Sequence, residues 1–316
     1  MMSLSLILVT LCGFNAVATA SSKLDTIFLR LWLSNTMGLY KDAHVWNTSD
    51  LVPYMDIKKN TAVYIHGYTE HINSKSVSAI VPSYLKRGDH NIIAVDWSVL
   101  AGESYMQVVS NFEGVGARIA EGINGILEGG ISPSRIHVIG HSMGAHVAGT
   151  VGRTIGFSLS RITGLDPAGP FFHVLNKKLS HKDAQFVDII HTDAGAYGLA
   201  RRTGSVDFWP NRGLRIQPGC PLLYTVYSDE DFCSHHRSYI YYAESLINEN
   251  AFLSLKCSSK PASSEKTNLV PMGYATPIDT SGSYCLVTAT NEPFGLAAEG
   301  AYLARDFISM LLPMAS

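Results

Sequence analysis

The sequence has few charged residues, and neither sign of charge is in clear excess. Lys and Arg contribute 24 residues and Asp and Glu 26, so the formal net charge is −2, and charged residues make up 16% of the chain. Surfaces that bind nucleic acid are usually markedly basic, and disordered chains are poor in hydrophobic residues, which here make up 46%. The composition therefore indicates a folded protein and gives no support for a nucleic-acid partner.

Long hydrophobic runs are also missing, apart from a short one at the N-terminus. The apolar run 4–11 is followed by the small residues 18–20, and it is shorter than the roughly 20 residues that a helix needs to span a bilayer. This pattern predicts a secretory signal peptide, residues 1–20, although the usual basic start of such a signal is absent. A buried N-terminal segment is the alternative. We expect the mature protein, residues 21–316, to be extracellular and not an integral membrane protein.

Cysteine is scarce, and the metal-binding spacings CxxC and HExxH do not occur, so we expect no metal ion and no other cofactor. After removal of the signal peptide four cysteines remain, namely Cys220, Cys233, Cys257 and Cys285. An even number suits disulfides in an oxidising compartment. Of the three possible pairings we favour the local one, 220 with 233 and 257 with 285, although spacing alone leaves the others open. Asn47 begins a glycosylation sequon.

Short runs rich in β-branched residues, each bounded by turn residues, predict strands that are buried on both faces. They are residues 61–65, 91–95, 135–139, 161–165 and 186–190; a further strand-like run, 284–288, lies near the end of the chain. Helical patterns occupy residues 108–127, 146–155, 237–247 and 295–312. Alternation of the two patterns predicts an α/β fold with a mostly parallel central sheet flanked by helices, in a single domain, residues 21–316.

Residues 140–144 read GHSMG and match the G-x-S-x-G pattern of a serine nucleophile. In that motif a sharp turn between a strand and a helix exposes the serine hydroxyl, and the glycines let backbone segments come close. The pattern alone is weak evidence. Here a predicted strand, 135–139, precedes it and a helical pattern follows, which is the required context. The sequence therefore predicts Ser142 as a nucleophile.

A serine nucleophile needs an imidazole base, and the base needs an acid that orients it. Asp166 directly follows the predicted strand 161–165, which would bring its carboxylate to the same sheet edge as Ser142; the alternative is an ordinary Asp-Pro turn residue. In this kind of fold the base follows the acid along the chain. His235 fulfils that order on a loop just before a helix, and its neighbour His236 is the rival.

The oxyanion of a tetrahedral intermediate needs backbone N–H donors. One should come from Met143, the residue after the nucleophile, and the other from a loop after an earlier strand. The run 63–65 reads as such a strand, and it is followed by Gly67 and Tyr68. We therefore predict the N–H of Tyr68 as the second donor, with a simple strand-ending turn as the equally good alternative.

Taken together, eight segments resemble the secreted pancreatic-type lipase family of α/β-hydrolases. They are VYIHGY (63–68), IIAVDW (92–97), IHVIGHSMGAHVAG (136–149), ITGLDPAGPF (162–171), DAQFVDIIHTD (183–193), DFWPN (207–211), PGC (218–220) and CSHHRSYIY (233–241). The resemblance implies the α/β-hydrolase fold, with Ser142 as nucleophile and Asp166 as acid. It selects His235 as base, because this histidine stands two residues after Cys233.

The resemblance also implies that Cys220 and Cys233 form the disulfide at the base of a lid over the active site. The twelve residues between them, 221–232, make a short lid, and the loop 194–206 is also shorter than the corresponding loop of digestive triglyceride lipases. Both features resemble the phospholipase A1 branch of the family. The family's calcium segment, here 175–183, keeps only one carboxylate, Asp183, so a structural calcium ion is not expected. The β-sandwich of digestive lipases is not present in the sequence, so no colipase is expected.

The function implied is that of a secreted serine carboxylic-ester hydrolase that acts on lipid acyl esters at a membrane or lipoprotein surface, with phospholipase A1 favoured. A neutral glyceride lipase is the enzymatic alternative. The alternative of another class is a non-catalytic lipid-binding or yolk-type storage protein, against which the presence of Ser142, Asp166 and His235 argues.

Overall fold

The computed structural model of the protein describes residues 23–33, 38–257 and 268–311; the predicted signal peptide lies outside them. The strands are β1 Phe28–Trp32, β2 Tyr40–His44, β3 Asn60–Ile65, β4 His90–Asp96, β5 Ile136–His141, β6 Arg161–Leu165, β7 Phe186–Ile190, β8 Val206–Pro210, β9 Leu253–Lys256, β10 Val270–Pro271 and β11 Gly282–Leu286. The α-helices are α1 Lys75–Arg87, α2 Ser98–Ala101, α3 Tyr105–Glu128, α4 Met143–Thr154, α5 Cys233–Ile247 and α6 Ala297–Leu311.

All of these strands join one sheet in the order β10-β9-β11-β8-β7-β6-β5-β3-β4-β1-β2. The neighbours from β11 to β4 run parallel, whereas two antiparallel strands complete each edge. The predicted α/β fold with a mostly parallel central sheet is therefore confirmed. Since β3, β5, β6 and β7 are parallel, their carboxyl ends lie at one edge of the sheet, where the predicted site residues follow them.

Side chains of the sheet alternate between its two faces and build two hydrophobic layers. In β3, Val63 and Ile65 belong to the layer that includes residues of α3 and α4. Ala62 and Tyr64 belong to the layer that includes residues of α1 and α5. Both faces of the sheet are thus covered by helices, which is why its strands read as nearly continuous hydrophobic runs.

None of the helices within the described residues is long and apolar enough to cross a bilayer.

Candidate active site

Ser142 occupies the sharp turn between β5 and α4, with backbone angles φ 54° and ψ −120°. A serine rarely adopts a positive φ, and such strain is found mainly at functional sites. The turn depends on its two glycines: a Cβ atom at Gly140 would lie 2.3 Å from the carbonyl oxygen of Gly144, and one at Gly144 would lie 2.3 Å from that of Ile65. The sequence therefore folds here into the strand–turn–helix context that the motif requires.

Asp166 follows β6 directly and is fully buried. Its Oδ1 atom accepts hydrogen bonds from the backbone N–H groups of Thr192, at 2.8 Å, and Asp193, at 3.1 Å. Its Oδ2 atom lies 2.6 Å from Nδ1 of His235. The carboxylate is thus held by the loop after β7 and directed at one imidazole nitrogen of α5.

His235 lies in the first turn of α5 and is almost fully buried. Because Nδ1 contacts Asp166, the other ring nitrogen, Nε2, is left for a proton of a reacting group. His236, the rival candidate, stacks on Phe232 instead, with ring centroids 5.8 Å apart. Burial and then the neighbouring His141 and His235 lower the pKa of His236 to about 3. The structure therefore brings His235, and not His236, to Asp166.

Both favoured cysteine pairs are disulfides in the structure. Cys220 is bonded to Cys233, the first residue of α5, and Cys257 is bonded to Cys285 in β11. The first bond closes the segment 221–232 into a loop. The loop ends at Cys233, where α5 begins, two residues before His235. The second bond joins β11 to the residue that directly follows its neighbour β9.

A cavity of about 710 Å³ opens at this edge of the sheet, and both Ser142 and His235 line it. Its wall is mainly aromatic, with Tyr68, Tyr105, Phe171, Tyr197, Tyr227 and Phe232. Exposed apolar side chains lie close in sequence to residues of this lining: Leu223, four residues before Tyr227, is 90% exposed, and Val174, three residues after Phe171, is 80% exposed. Pockets for apolar ligands have such linings, and exposed apolar patches around them mark contacts with lipid or protein.

Tyr68 and Met143, the predicted oxyanion donors, flank Ser142 in different ways. Met143 is the first residue of α4, and the first N–H groups of a helix have no partner within it. Tyr68 lies in the loop after β3 and lines the same cavity as Ser142. The N–H groups before and after it are already bonded: that of Gly67 donates to the Glu70 carboxylate in the same loop at 2.6 Å, and that of Thr69 donates to the carbonyl of Ala101, at the end of α2, at 3.0 Å.

Arg215 is part of the site although no sequence pattern pointed to it. Its Nε and Nη2 atoms donate to the carboxylate of Asp193 at 2.6 and 2.5 Å, and Nη1 donates to Asp231, in the segment 221–232, at 2.9 Å. Asp231 also accepts a hydrogen bond of 2.6 Å from the hydroxyl of Tyr197. One guanidinium thus connects the loop that holds Asp166 to the segment that leads into α5.

Asp166, Asp193 and His235 bring their ligand atoms within 4.8 Å of one another, a set that could hold a metal ion. The guanidinium of Arg215 already bonds both carboxylate oxygens of Asp193. His235 and two backbone N–H groups already bond Asp166. These contacts fit an acid–base pair better than a metal site.

The segment 175–183 does not fit the calcium ion that the family resemblance implies. Its one carboxylate, Asp183, accepts hydrogen bonds from Arg153 Nη1 at 2.8 Å and from the N–H of Ser180 at 2.9 Å. Arg153 Nη2 also donates to the carbonyl oxygen of Lys177 at 3.3 Å. Arg153 therefore already bonds two of the oxygen atoms that this segment could offer to calcium, which needs several.

Asn47, the predicted glycosylation site, is half-buried in a 3₁₀ segment, Val45–Tyr54, and its side-chain amide donates to Asp50 at 2.6 Å. Its glycosylation stays a prediction.

Comparison with known proteins gives consistent matches. The model of the family described as Lipase matches residues 18–283. A pancreatic triacylglycerol lipase of Oryctolagus cuniculus is 40% identical over 225 residues, which are 65% of this chain and 48% of the relative. Pancreatic lipase-related protein 3 of Homo sapiens is 38% identical over 259 residues, 75% of this chain and 54% of the relative. The chain spans about half the length of these curated relatives.

Among solved structures, a protein of Xanthomonas campestris described as a hydrolase of the alpha/beta superfamily is similar with a TM-score of 0.35 and 14% identity, over 58% of this chain and 96% of that chain.

Proposed function

The chain belongs to the Lipase family, and on that premise we propose that it is a secreted serine hydrolase that cleaves acyl esters of lipids. Residues 21–316 form one hydrolase domain in this proposal, and residues 1–20 are its signal peptide. Two disulfides support an oxidising, extracellular setting.

The proposed reaction passes through an acyl-enzyme. Ser142 Oγ attacks the ester carbonyl carbon while its proton moves to Nε2 of His235, and Asp166 stabilises the imidazolium. The N–H groups of Tyr68 and Met143 bind the oxyanion of the tetrahedral intermediate. The C–O bond to the alcohol then breaks, and His235 returns the proton to the leaving alkoxide. Water repeats the sequence, which releases the fatty acid and restores Ser142.

One observation carries this proposal. A buried aspartate contacts Nδ1 of His235 at 2.6 Å, and the same histidine shares a cavity with a serine in a strained strand–helix turn. A nucleophile, a base and an orienting acid at one cavity are the recognised parts of acyl-transfer sites. A storage protein has no use for that arrangement.

A lipid substrate fits the cavity and its surroundings. The aromatic lining suits an acyl chain, and the exposed apolar side chains of Val174, Leu222 and Leu223 suit contact with a lipid surface. We therefore propose that the protein works at the surface of a membrane or lipoprotein.

Within this class we propose phospholipase A1 activity, that is, cleavage at the sn-1 position of phospholipids. The lid has only twelve residues between its cysteines, and the loop 194–206 is short, so a solvated headgroup has space beside the cavity. A glyceride lipase is the second candidate, since two of the relatives named above are a pancreatic triacylglycerol lipase and a pancreatic lipase-related protein.

The test compares the purified protein with Ser142→Ala on two substrates: phosphatidylcholine with different acyl chains at sn-1 and sn-2, and triacylglycerol. We expect faster release of the sn-1 chain from phosphatidylcholine and no release by the variant. Faster triacylglycerol hydrolysis moves the assignment to the glyceride lipase. Vesicle binding by the unsubstituted protein without any acyl release supports the non-catalytic alternative and overturns the proposal.

A further inference from the structure

Glu70 makes two hydrogen bonds with a single carboxylate oxygen. Its Oε2 atom accepts the backbone N–H of Gly67 at 2.6 Å and lies 3.1 Å from Nδ1 of His141. The Glu70 side chain is 16% exposed, and that of His141 is 3% exposed. Glu70 is therefore a largely buried carboxylate that joins the loop after β3 to the end of β5.

Each partner of Glu70 is the immediate neighbour of a group in the proposed reaction. Gly67 precedes Tyr68, whose N–H is the proposed oxyanion donor, and His141 precedes the nucleophile Ser142. One oxygen atom of Glu70 thus bridges the residue before this donor and the residue before the nucleophile.

The two segments that Glu70 joins are both strained and tightly packed. Thr69 has φ 59° and Ser142 has φ 54°, a region that β-branched and bulky residues avoid. A Cβ atom at Gly67 would lie 3.1 Å from Cβ of Ser142 and 3.0 Å from Oε2 of Glu70. A strained backbone persists only where its surroundings over-determine it, and the bonds of Glu70 provide part of that constraint.

The protonation states suit this bridge. Burial favours a higher pKa for Glu70, but its hydrogen bond with His141 lowers that pKa well below the usual range, so the carboxylate is charged. Burial lowers the pKa of His141, although Glu70 partly offsets this, so the ring is neutral. Nε2 of His141 has no hydrogen-bond partner among the described residues, which assigns the ring proton to Nδ1, facing Glu70. The bridge is therefore a charge-assisted bond, which is about twice as strong as a neutral one.

We propose that Glu70 is a positioning residue that sets the Tyr68 N–H relative to the Ser142 hydroxyl by bridging Gly67 and His141. This inference rests on the proposed function, because it assigns a purpose to the spacing of two groups in that reaction. Glu70 acts through its neighbours and takes no proton from the substrate.

Three substitutions separate positioning from general stability. Glu70→Ala removes the bridge, and Glu70→Asp is one methylene too short to reach both partners. We expect both to lower kcat on a soluble short-chain ester by about 10²-fold with little change in KM, the size of effect that a lost oxyanion donor or a displacement of about 1 Å produces. Glu70→Gln keeps an acceptor oxygen at the same reach and should retain kcat within about tenfold of the unsubstituted protein.

An alkyl boronic acid supplies a second readout, because it forms a reversible tetrahedral adduct with an active serine and places an oxygen at the oxyanion site. Its inhibition constant should rise in Glu70→Ala in proportion to the loss of kcat. Asp183→Asn is the matched control. Like Glu70, Asp183 is a buried carboxylate that accepts one backbone N–H and one side-chain N–H, here from Ser180 and Arg153. It lies beside the C-terminal end of α4, whereas Ser142 precedes the N-terminal end. The substitution should lower stability to urea without changing kcat.

Hydrogen exchange tests the bridge without any catalysis. Exchange in the segment 66–71 should become faster in Glu70→Ala than in Asp183→Asn, while the core strand β6 stays protected in both.

The outcomes are distinct. If the unsubstituted protein hydrolyses the ester and Ser142→Ala does not, the proposed function stands, whatever Glu70 does. Unchanged kcat in Glu70→Ala, an effect on KM alone, or a loss in Glu70→Gln as large as in Glu70→Ala overturns the positioning role. If the unsubstituted protein hydrolyses no ester, the proposed function fails. In that case, hydrogen exchange of segment 66–71 that is unchanged in Glu70→Ala overturns the bridge as well.

Discussion

His235 and His236 are adjacent on α5, yet their side chains meet different surroundings. Successive helix residues point about 100° apart, so only one of the two can face the loop after β6. His235 contacts Asp166 at 2.6 Å, whereas His236 packs against the rings of Phe232 and Tyr239. The choice of base is therefore a matter of helix orientation.

This difference predicts opposite results for two alanine substitutions. His235→Ala should lower kcat on a soluble ester by up to about 10⁶-fold, as for a triad histidine in another hydrolase. His236→Ala changes packing and should keep most of the activity. Steady-state kinetics of both variants, with circular dichroism to verify folding, is the measurement. An inactive His236→Ala beside an active His235→Ala would contradict the assignment.

The pKa of His236 predicts a pH dependence of stability. In the unfolded chain a histidine takes up a proton near pH 6.5, but burial first, and then nearby His141 and His235, lower the pKa of His236 in the folded protein to about 3. Between these values the unfolded state binds more protons, so the folded state loses stability as pH falls.

His236→Leu removes that group. We therefore measure the free energy of unfolding of both proteins in urea between pH 8 and 5. The value for the variant minus that for the unsubstituted protein should increase as the pH falls below about 6.5. A constant difference between the two proteins across this range would show that His236 is not held neutral.

At the residue scale, the sequence predicted groups that local patterns mark and missed those that only tertiary contacts define. Ser142 stands in a five-residue motif, and Asp166 follows a strand that the sequence also predicts. Residue chemistry alone could not separate His235 from His236. Glu70 and Arg215 carry no local signal, because each depends on a contact with a residue that is not a neighbour in sequence, namely His141 and Asp193.

At the scale of elements, the proposed lid, segment 221–232, leads directly into the helix that carries His235, and it is anchored there in two ways. The Cys220–Cys233 disulfide joins its ends, and Arg215 and Tyr197 hold Asp231 near its second end. Since α5 begins at Cys233, the direction of the first helical turn, and with it the position of His235, depends on these anchors.

The two disulfides should therefore differ in their effect on activity. Replacing Cys220 and Cys233 by Ser should lower both stability, by about 3 kcal/mol on chain-entropy estimates, and kcat on a soluble ester. The matched control replaces Cys257 and Cys285, which do not line the cavity; it should lower stability by a similar amount without lowering kcat. Full activity in the 220/233 double variant would show that the bridge does not position the base.

Elements with strong hydrophobic periodicity were predicted, and those with unusual composition were missed. Strand β6 was predicted with its observed bounds, and α3 to within three residues. Helix α1 was missed because it contains Pro82, which removes a helical hydrogen bond. Packing of its buried face against α5, including a hydroxyl pair between Tyr84 and Tyr242 at 2.8 Å, overrides that local preference.

At the scale of the whole molecule, alternating strand and helix patterns were enough to predict the parallel sheet and the edge at which the site lies. The antiparallel edges were not predicted. Strands β9 and β10 have only four and two residues, and β1 and β2 include charged and less buried positions, so these strands lack the continuous apolar pattern of a strand that is covered on both faces.

The lid surface predicts weak interfacial activation. Leu222 is 78% exposed and Leu223 is 90% exposed while Tyr227 and Phe232 of the lid still line the cavity. Movement of so short a lid uncovers little additional apolar area. At about 25 cal/mol per Å² of apolar area, the free energy gained by burying it in a lipid surface is modest. The rate on a short-chain ester should therefore rise only slightly when the ester forms micelles. A steep increase at the critical micelle concentration, together with triacylglycerol hydrolysis above phospholipid hydrolysis, would favour the glyceride lipase.

The most direct test of the central claim is covalent labelling by a fluorophosphonate, which reacts with a serine only when a neighbouring base activates it. Peptide mapping by mass spectrometry should find the adduct on Ser142 in the unsubstituted protein, no adduct in Ser142→Ala, and greatly slowed labelling in His235→Ala with His236→Ala labelled normally. Labelling of another serine, or none under conditions in which the folded protein is intact, would contradict a nucleophile at Ser142 that is activated by His235 and Asp166.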